Sequence, residues 1–194
     1  MSTELEQSVA TSAPYEVIDT DPHFNRVVGF FRPCDYAAWA IGTVAMPGLF
    51  TVFERLDPVN GRTFTKPSPS VLRVTTLLGF VGGFLIAYNR SSQRFFGHTE
   101  NAREVAKDRY QVKKNLSQGL PAFGQKPSIT ADLQEVAMRN SKNSQYALFF
   151  FPWFSFFTHE YHGIDLKKYY EVRPGEEKWE FNLPPYEDLE KKTI

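Results

Sequence analysis

Two uncharged apolar stretches joined by a short, turn-rich loop restrict this chain more than any other feature. The first runs from Tyr36 to Phe53. The second runs from Val74 to Asn89 and extends back to Ser70 if the Arg73 guanidinium turns toward lipid headgroups. A helix crossing a bilayer core needs roughly 20 mostly apolar residues, with about 17 to 25 tolerated, so both stretches can span. Glu54 and Arg55 stop the first, Arg90 stops the second, and the loop carries Asp57, Pro58, Asn60, Gly61, Pro67 and Pro69, all turn formers. The pattern predicts a transmembrane hairpin over residues 35–90.

The competing reading is a pair of buried helices in a soluble protein, and the negative mean hydropathy of the whole chain favours it. That average conceals a split, because nearly all the long apolar runs lie between residues 36 and 90. A soluble domain would show alternating or 3.6-residue periods. The string VTTLLGFVGGFLIAYN is instead apolar around its whole circumference, which suits uniformly nonpolar surroundings. Two such helices do not make a soluble core of ordinary size. The remaining segments are polar and interrupted by proline, so the chain is expected to complete its fold on a partner.

With 22 basic and 22 acidic side chains the net charge is zero, and no electrostatic footprint for nucleic acid is present. The first 25 residues hold Glu4, Glu6, Glu16, Asp19 and Asp21 but no Lys or Arg. A secretory signal starts basic and a mitochondrial presequence is Arg-rich, so any targeting signal is expected to be internal. Cys34 is the single cysteine, which precludes an intramolecular disulfide, and it is expected to be a packed thiol.

Around the hairpin the chain divides into a flexible N-terminus (1–13), an amphipathic pre-membrane segment (14–34), a polar helical region (91–145), and an aromatic interfacial segment with an extended tail (146–194). Asp21 followed by Pro22 predicts a capped helix start, with Phe24, Val27, Val28 and Phe31 on one face and Pro33 as terminator. Asp35 is the expected N-cap of the first span. Pro47 then frees a backbone carbonyl that a neighbour must satisfy, and a kink is expected near Thr43. In the second span Gly79 and Gly83 have the spacing that lets two helix backbones approach closely. Leu or Ile at both positions should disrupt that contact, while Ala should show little.

Thr99 is the expected N-cap of a helix with an uneven apolar stripe of Ala102, Val105, Ala106, Tyr110, Val112 and Leu116. The segment reads as a solvated helix with one docked side. A further helix starts at Ala131, capped by Thr130. The densest aromatic run, Tyr146 to Phe157, is too short for a span and holds Pro152. Trp153 and Phe154 suit a headgroup boundary or a groove on a partner protein.

Chemistry-bearing patterns are few. His159 and His162 have the spacing for two ligands on one helix face, and Glu160 is adjacent, but the zinc-protease pattern HExxH is absent and no third ligand is evident. These histidines are expected at a surface or interface. There is no GxGxxG, no GxxxxGK[ST] and no GxSxG. No catalytic residue, no cofactor site and no metal site is expected. The two spans also lack a central ionisable residue that would suggest a transport path.

Four strings in order, IDTDPHFNRVV, FRPCDYAAWA, LLGFVGGFLIAYNRSSQRFFGHTENAREV and PWFSFFTHEYHGIDLKKYY, together resemble the fungal 21 kDa accessory subunits of mitochondrial NADH:ubiquinone oxidoreductase, respiratory complex I. The resemblance covers residues 14 to 170. It implies a non-catalytic subunit of the inner mitochondrial membrane, placed among the membrane-arm subunits and inner-membrane phospholipids, with no flavin, iron-sulfur cluster or quinone-reducing residue of its own. The expected fold is an all-α membrane protein, a two-helix transmembrane hairpin with amphipathic helices and an extended C-terminal tail. The alternatives are a small membrane enzyme or carrier using His159, Glu160 and His162, and a freestanding membrane-anchored binding protein. Arg90, Arg94, Arg103, Lys107 and Arg109 outnumber the loop's Arg55, Arg62 and Lys66, so both termini are expected on the matrix side.

Overall fold

Proline marks the starts of the two longest helices. The computed structural model describes residues 13–57, 67–124, 126–127, 129–141, 154–159, 162 and 164–186. In order these form α1 (Phe24–Gly29), α2 (Pro33–Leu56), α3 (Pro69–Phe95), α4 (Ala102–Ser117) and α5 (Ala131–Ser141). Two short 3-10 turns follow, Leu166–Tyr169 and Glu177–Trp179. No strand occurs among the described residues. The chain divides into two units, one formed by Val28–Ser91 and the other by Met1–Val27 with Ser92–Ile194.

In the first unit, α2 and α3 are long and apolar enough to cross a membrane. Pro33 opens α2 instead of ending the helix before it. Proline suits the first helical position because its missing N–H would be unsatisfied there anyway. Arg32 is the N-cap, and the Asp35 carboxylate, one turn in, accepts from the Arg32 N–H at 2.7 Å. Asp35 therefore serves the first turn from inside it, not as the cap. The helix continues through Pro47 to Leu56. Pro47 removes the N–H that would bond the Thr43 carbonyl, and that carbonyl faces the backbone of Gly79 on α3: a Cβ built there would lie 2.9 Å from it.

Cys34 is exposed, correcting the packed thiol expected from its position, with Sγ 3.9 Å from the Asp35 carboxylate. The cause is local: residue 34 lies in the first helical turn beside Asp35, and it is Asp35 that turns inward.

The second unit is held by polar contacts as much as by apolar ones. His23 starts α1: its carbonyl accepts from the Arg26 and Val27 N–H groups, and its Nδ1 accepts from the Asn25 N–H at 3.1 Å. The start thus lies two residues beyond Asp21, whose carboxylate is engaged elsewhere. Asn101, not Thr99, caps α4, and its side-chain amide donates to the carbonyls of Glu16 and Arg94, both at 2.7 Å. Val112, Leu116, Ala122 and Tyr169 form an apolar cluster, with Phe123, Ile164, Leu166 and Leu183 packed on it. Gly97 lies against Tyr15 with φ of 71°, a conformation that only glycine adopts without strain, and its carbonyl accepts from the Tyr15 N–H at 3.1 Å.

Candidate functional site

The membrane unit and the polar unit each contain one dense arrangement of residues. In the membrane unit it is a seam of glycines. A Cβ built on Gly79 would lie 2.7 Å from the Gly42 carbonyl oxygen, one on Gly83 would lie 2.6 Å from the Trp39 oxygen, and one on Gly42 would lie 2.9 Å from the Gly83 Cα. All three obstacles are backbone atoms, so no side-chain rotation relieves them. Gly79 and Gly83 therefore meet α2 directly, and Gly42 completes the seam from the other helix. Gly82, which sits between them in sequence, has nothing within 4 Å of its built Cβ. The Trp39 indole closes one edge by donating to the Phe80 carbonyl at 2.9 Å, and its ring packs 5.0 and 5.1 Å from the rings of Phe80 and Phe84. Gly42 and Trp39 were not singled out from sequence. Ala38, four residues earlier, gives Gly42 a small-xxx-small spacing that could have singled it out, but the facing helix shows which of the two meets backbone.

In the polar unit the arrangement is a buried ionic network. The Asp19 carboxylate takes a guanidinium N–H of Arg26, the Asp21 backbone N–H at 3.0 Å, and the His162 ring at 3.0 Å. Arg26 reaches on to Asp108 of α4, whose other oxygen accepts from the Tyr169 hydroxyl at 2.7 Å. The Arg26 guanidinium also lies over the Phe95 and Phe123 rings, 5.6 and 5.1 Å from their centres. His162 places Nδ1 on the Asp19 carboxylate and Nε2 on the His159 carbonyl, 3.0 Å away. Both partners only accept, so the doubly protonated imidazolium is the form that satisfies them. His159 stacks on His162 at 5.1 Å and pairs with the Asp21 carboxylate at 2.8 Å.

These contacts set the titration of the cluster. Burial opposes the charged form of Asp19, but the charge and hydrogen bond of His162 and the charge of Arg26 outweigh it and hold the carboxyl below its ordinary range. Burial pushes Asp108 above that range despite Arg26 and Tyr169. Burial alone would depress His162, yet Asp19 raises it above its ordinary value. Tyr169 is pushed upward by burial and by the Asp108 carboxylate it donates to.

A second cluster joins α4 to the tail. Arg109, 1% exposed, donates to both Glu176 oxygens and to the carbonyls of Lys168 and Glu171 at 2.7 and 2.6 Å. Lys113 adds a contact to Glu176 at 2.6 Å. Burial would raise Glu176, but hydrogen bonds from Arg109, Lys113 and the Arg173 N–H bring it down to about 2.

One sequence expectation is corrected here and another is refined. His159 and His162 are buried, because each hydrogen-bonds an aspartate that leaves water with it. On α4 the docked side carries charge as well: Glu104, Asp108, Arg109 and Lys113 are buried, while Arg103, Lys107 and Lys114 keep a solvated face. The arrangement does not suit metal capture. Both nitrogens of His162 and one of His159 are committed to acceptors of the chain, and no cluster of three or more potential ligands occurs among the described residues. Glu160 and Trp153 lie outside the described residues. Phe154 packs edge-on against Phe24 at 5.4 Å, and Phe156, which is exposed, lies 5.0 Å from Phe24.

Comparison with known proteins accounts for both units. A family model described as NADH-ubiquinone oxidoreductase complex I, 21 kDa subunit, matches residues 12–100, and one for the C-terminal part of the same 21 kDa subunit matches residues 109–194. The NADH-ubiquinone oxidoreductase 20.9 kDa subunit of Neurospora crassa is 42% identical over 161 residues, covering 81% of this chain and 82% of that protein. A chain of this kind is an accessory subunit of an enzyme complex, not an enzyme by itself. The sequence thus belongs to the family of 21 kDa subunits of NADH-ubiquinone oxidoreductase, respiratory complex I.

Proposed function

We propose that this chain supports the assembly and stability of complex I from the membrane arm, as a hairpin seated among membrane subunits and inner-membrane phospholipids. The supporting observation is the glycine seam. It makes α2 and α3 one closely packed pair, while Ile41, Val44, Phe53, Val74, Leu77 and Ile86 stay exposed on the pair. Such a surface is stable only when lipid tails or other membrane helices cover it. Trp153 and Phe154 are the proposed aromatic anchor, at a headgroup boundary or in a groove on a partner protein. The basic residues from Arg90 to Arg109, in the last turns of α3 and beyond it, support a matrix location for both termini.

Replacing Gly79 and Gly83 together with Leu tests the assembly role. Incorporation of the subunit and the yield of intact complex should fall, while NADH:ubiquinone activity per flavin of whatever complex remains stays unchanged. Normal amounts of mutant subunit in purified complex would overturn the proposal. Protease treatment of mitoplasts tests the orientation: cleavage should be confined to the loop, and digestion of the tail would reverse it. In the same preparation, replacing His159, Glu160 and His162 should leave activity per assembled complex unchanged. A collapse of that normalised activity would favour the enzyme reading.

A further inference from the structure

A cleft of about 460 Å³ opens between α2 and α3, lined by Thr43, Leu72, Arg73, Thr76, Leu77 and Phe80. Its walls are almost wholly apolar, because the Thr43 hydroxyl donates to the Trp39 carbonyl at 2.9 Å and the Thr76 hydroxyl to the Leu72 carbonyl at 2.7 Å. Arg73 is the exception. It is exposed and has no hydrogen bond or ion pair among the described residues, although its guanidinium carries five donors.

The position of this shallow, open cleft along α3 identifies its occupant. From Arg73 to Arg90 a helix rises about 26 Å at about 1.5 Å per residue, close to the roughly 30 Å of a hydrocarbon core. Arg73 and Arg90 thus bracket the apolar layer, each near one headgroup boundary. Leu77 and Phe80 follow Arg73 by one and two turns, which places the rest of the cleft progressively deeper among acyl chains.

We propose that this cleft binds one anionic phospholipid. Its phosphate sits on the Arg73 guanidinium, a match for the planar fork of donors. One acyl chain runs down past Leu72, Thr76 and Leu77 to Phe80 and Thr43. Among the described residues no carboxylate lines the cleft to receive the ammonium of a choline headgroup, so the site favours headgroups without a cation. The inference rests on α2 and α3 crossing a bilayer and is independent of any role in assembly.

The test uses the purified full chain in detergent, outside the complex, with phosphatidylglycerol or phosphatidylcholine added and retention read by native mass spectrometry. Wild-type chain should keep one phosphatidylglycerol, in roughly tenfold preference over phosphatidylcholine. R73Q should abolish the preference. T76W, which fills the cleft and leaves Arg73 in place, should abolish retention of either lipid. Equal retention of both lipids by wild type, or unchanged retention by R73Q or T76W, would overturn the site. Because no other subunit is present, these outcomes are separate from success or failure of the assembly proposal.

Discussion

The Asp35 carboxylate lies 3.3 Å from Nε of Arg90, closing the open end of the hairpin between the first turn of α2 and the later part of α3. The two partners are unequal. Asp35 is fully buried while the Arg90 side chain is half exposed, and Asp35 also holds the Arg32 N–H.

That inequality gives a first prediction. D35A leaves a helix-start N–H and the buried side of the clasp without an acceptor, and should cost about 1 to 3 kcal/mol. R90Q removes a partly solvated charge and should cost at most about 1 kcal/mol. Thermal unfolding of the purified chain in detergent, followed by circular dichroism, ranks the two. A larger loss for R90Q would contradict the buried role of Asp35.

The seam predicts a contrast between adjacent glycines. At Gly83 and Gly42 even alanine places a methyl group under 3.0 Å from backbone, so the helices must separate. Alanine there is expected to cost about 1 to 3 kcal/mol as overpacking, more than the mild effect anticipated from sequence spacing. G82A meets open space and should be neutral or slightly stabilising, since alanine favours helix. Equal effects at residues 82 and 83 would refute the seam.

Y169F removes the hydroxyl that donates to Asp108 at 2.7 Å inside a fully buried cluster. A carboxylate left short of a donor there should cost about 1 to 3 kcal/mol. Guanidinium chloride unfolding read by tryptophan fluorescence measures it, since Trp179 lies in the same unit. No change in midpoint would mean that Asp108 is satisfied by Arg26 alone.

The network also predicts a pH window. His162 titrates above its ordinary value of 6.5 when folded, so its stabilisation is complete below about 6.5 and is lost as pH rises through the folded value. Glu176 has the opposite sign. Lowered to about 2 from 4.5, it stabilises above 4.5 and loses that contribution as pH falls toward about 2. Unfolding midpoints between pH 6 and 9 should decline in wild type and flatten in H162Q. A wild-type profile that rises over this range would refute an imidazolium between Asp19 and the His159 carbonyl.

What was readable in the sequence is what a segment decides for itself. Tyr36 to Phe53 and Val74 to Asn89 announce their environment because a charge-free helix suits nonpolar surroundings whatever lies elsewhere in the chain, and Gly79 and Gly83 are visible because their spacing is local. Folding alone decided the fate of the charges. Asp108, Arg109 and Lys113 look solvated on a helix taken alone, since burying an unpaired ion is prohibitive. They are buried because Arg26, Tyr169 and Glu176, some 60 to 80 residues away, bring the matching charge or hydrogen bond. The same holds for His159 with Asp21 and His162 with Asp19, 138 and 143 residues apart. Local periodicity counts apolar positions and carries no record of such pairings, so the membrane hairpin was evident in advance and the ionic core of the polar unit was not.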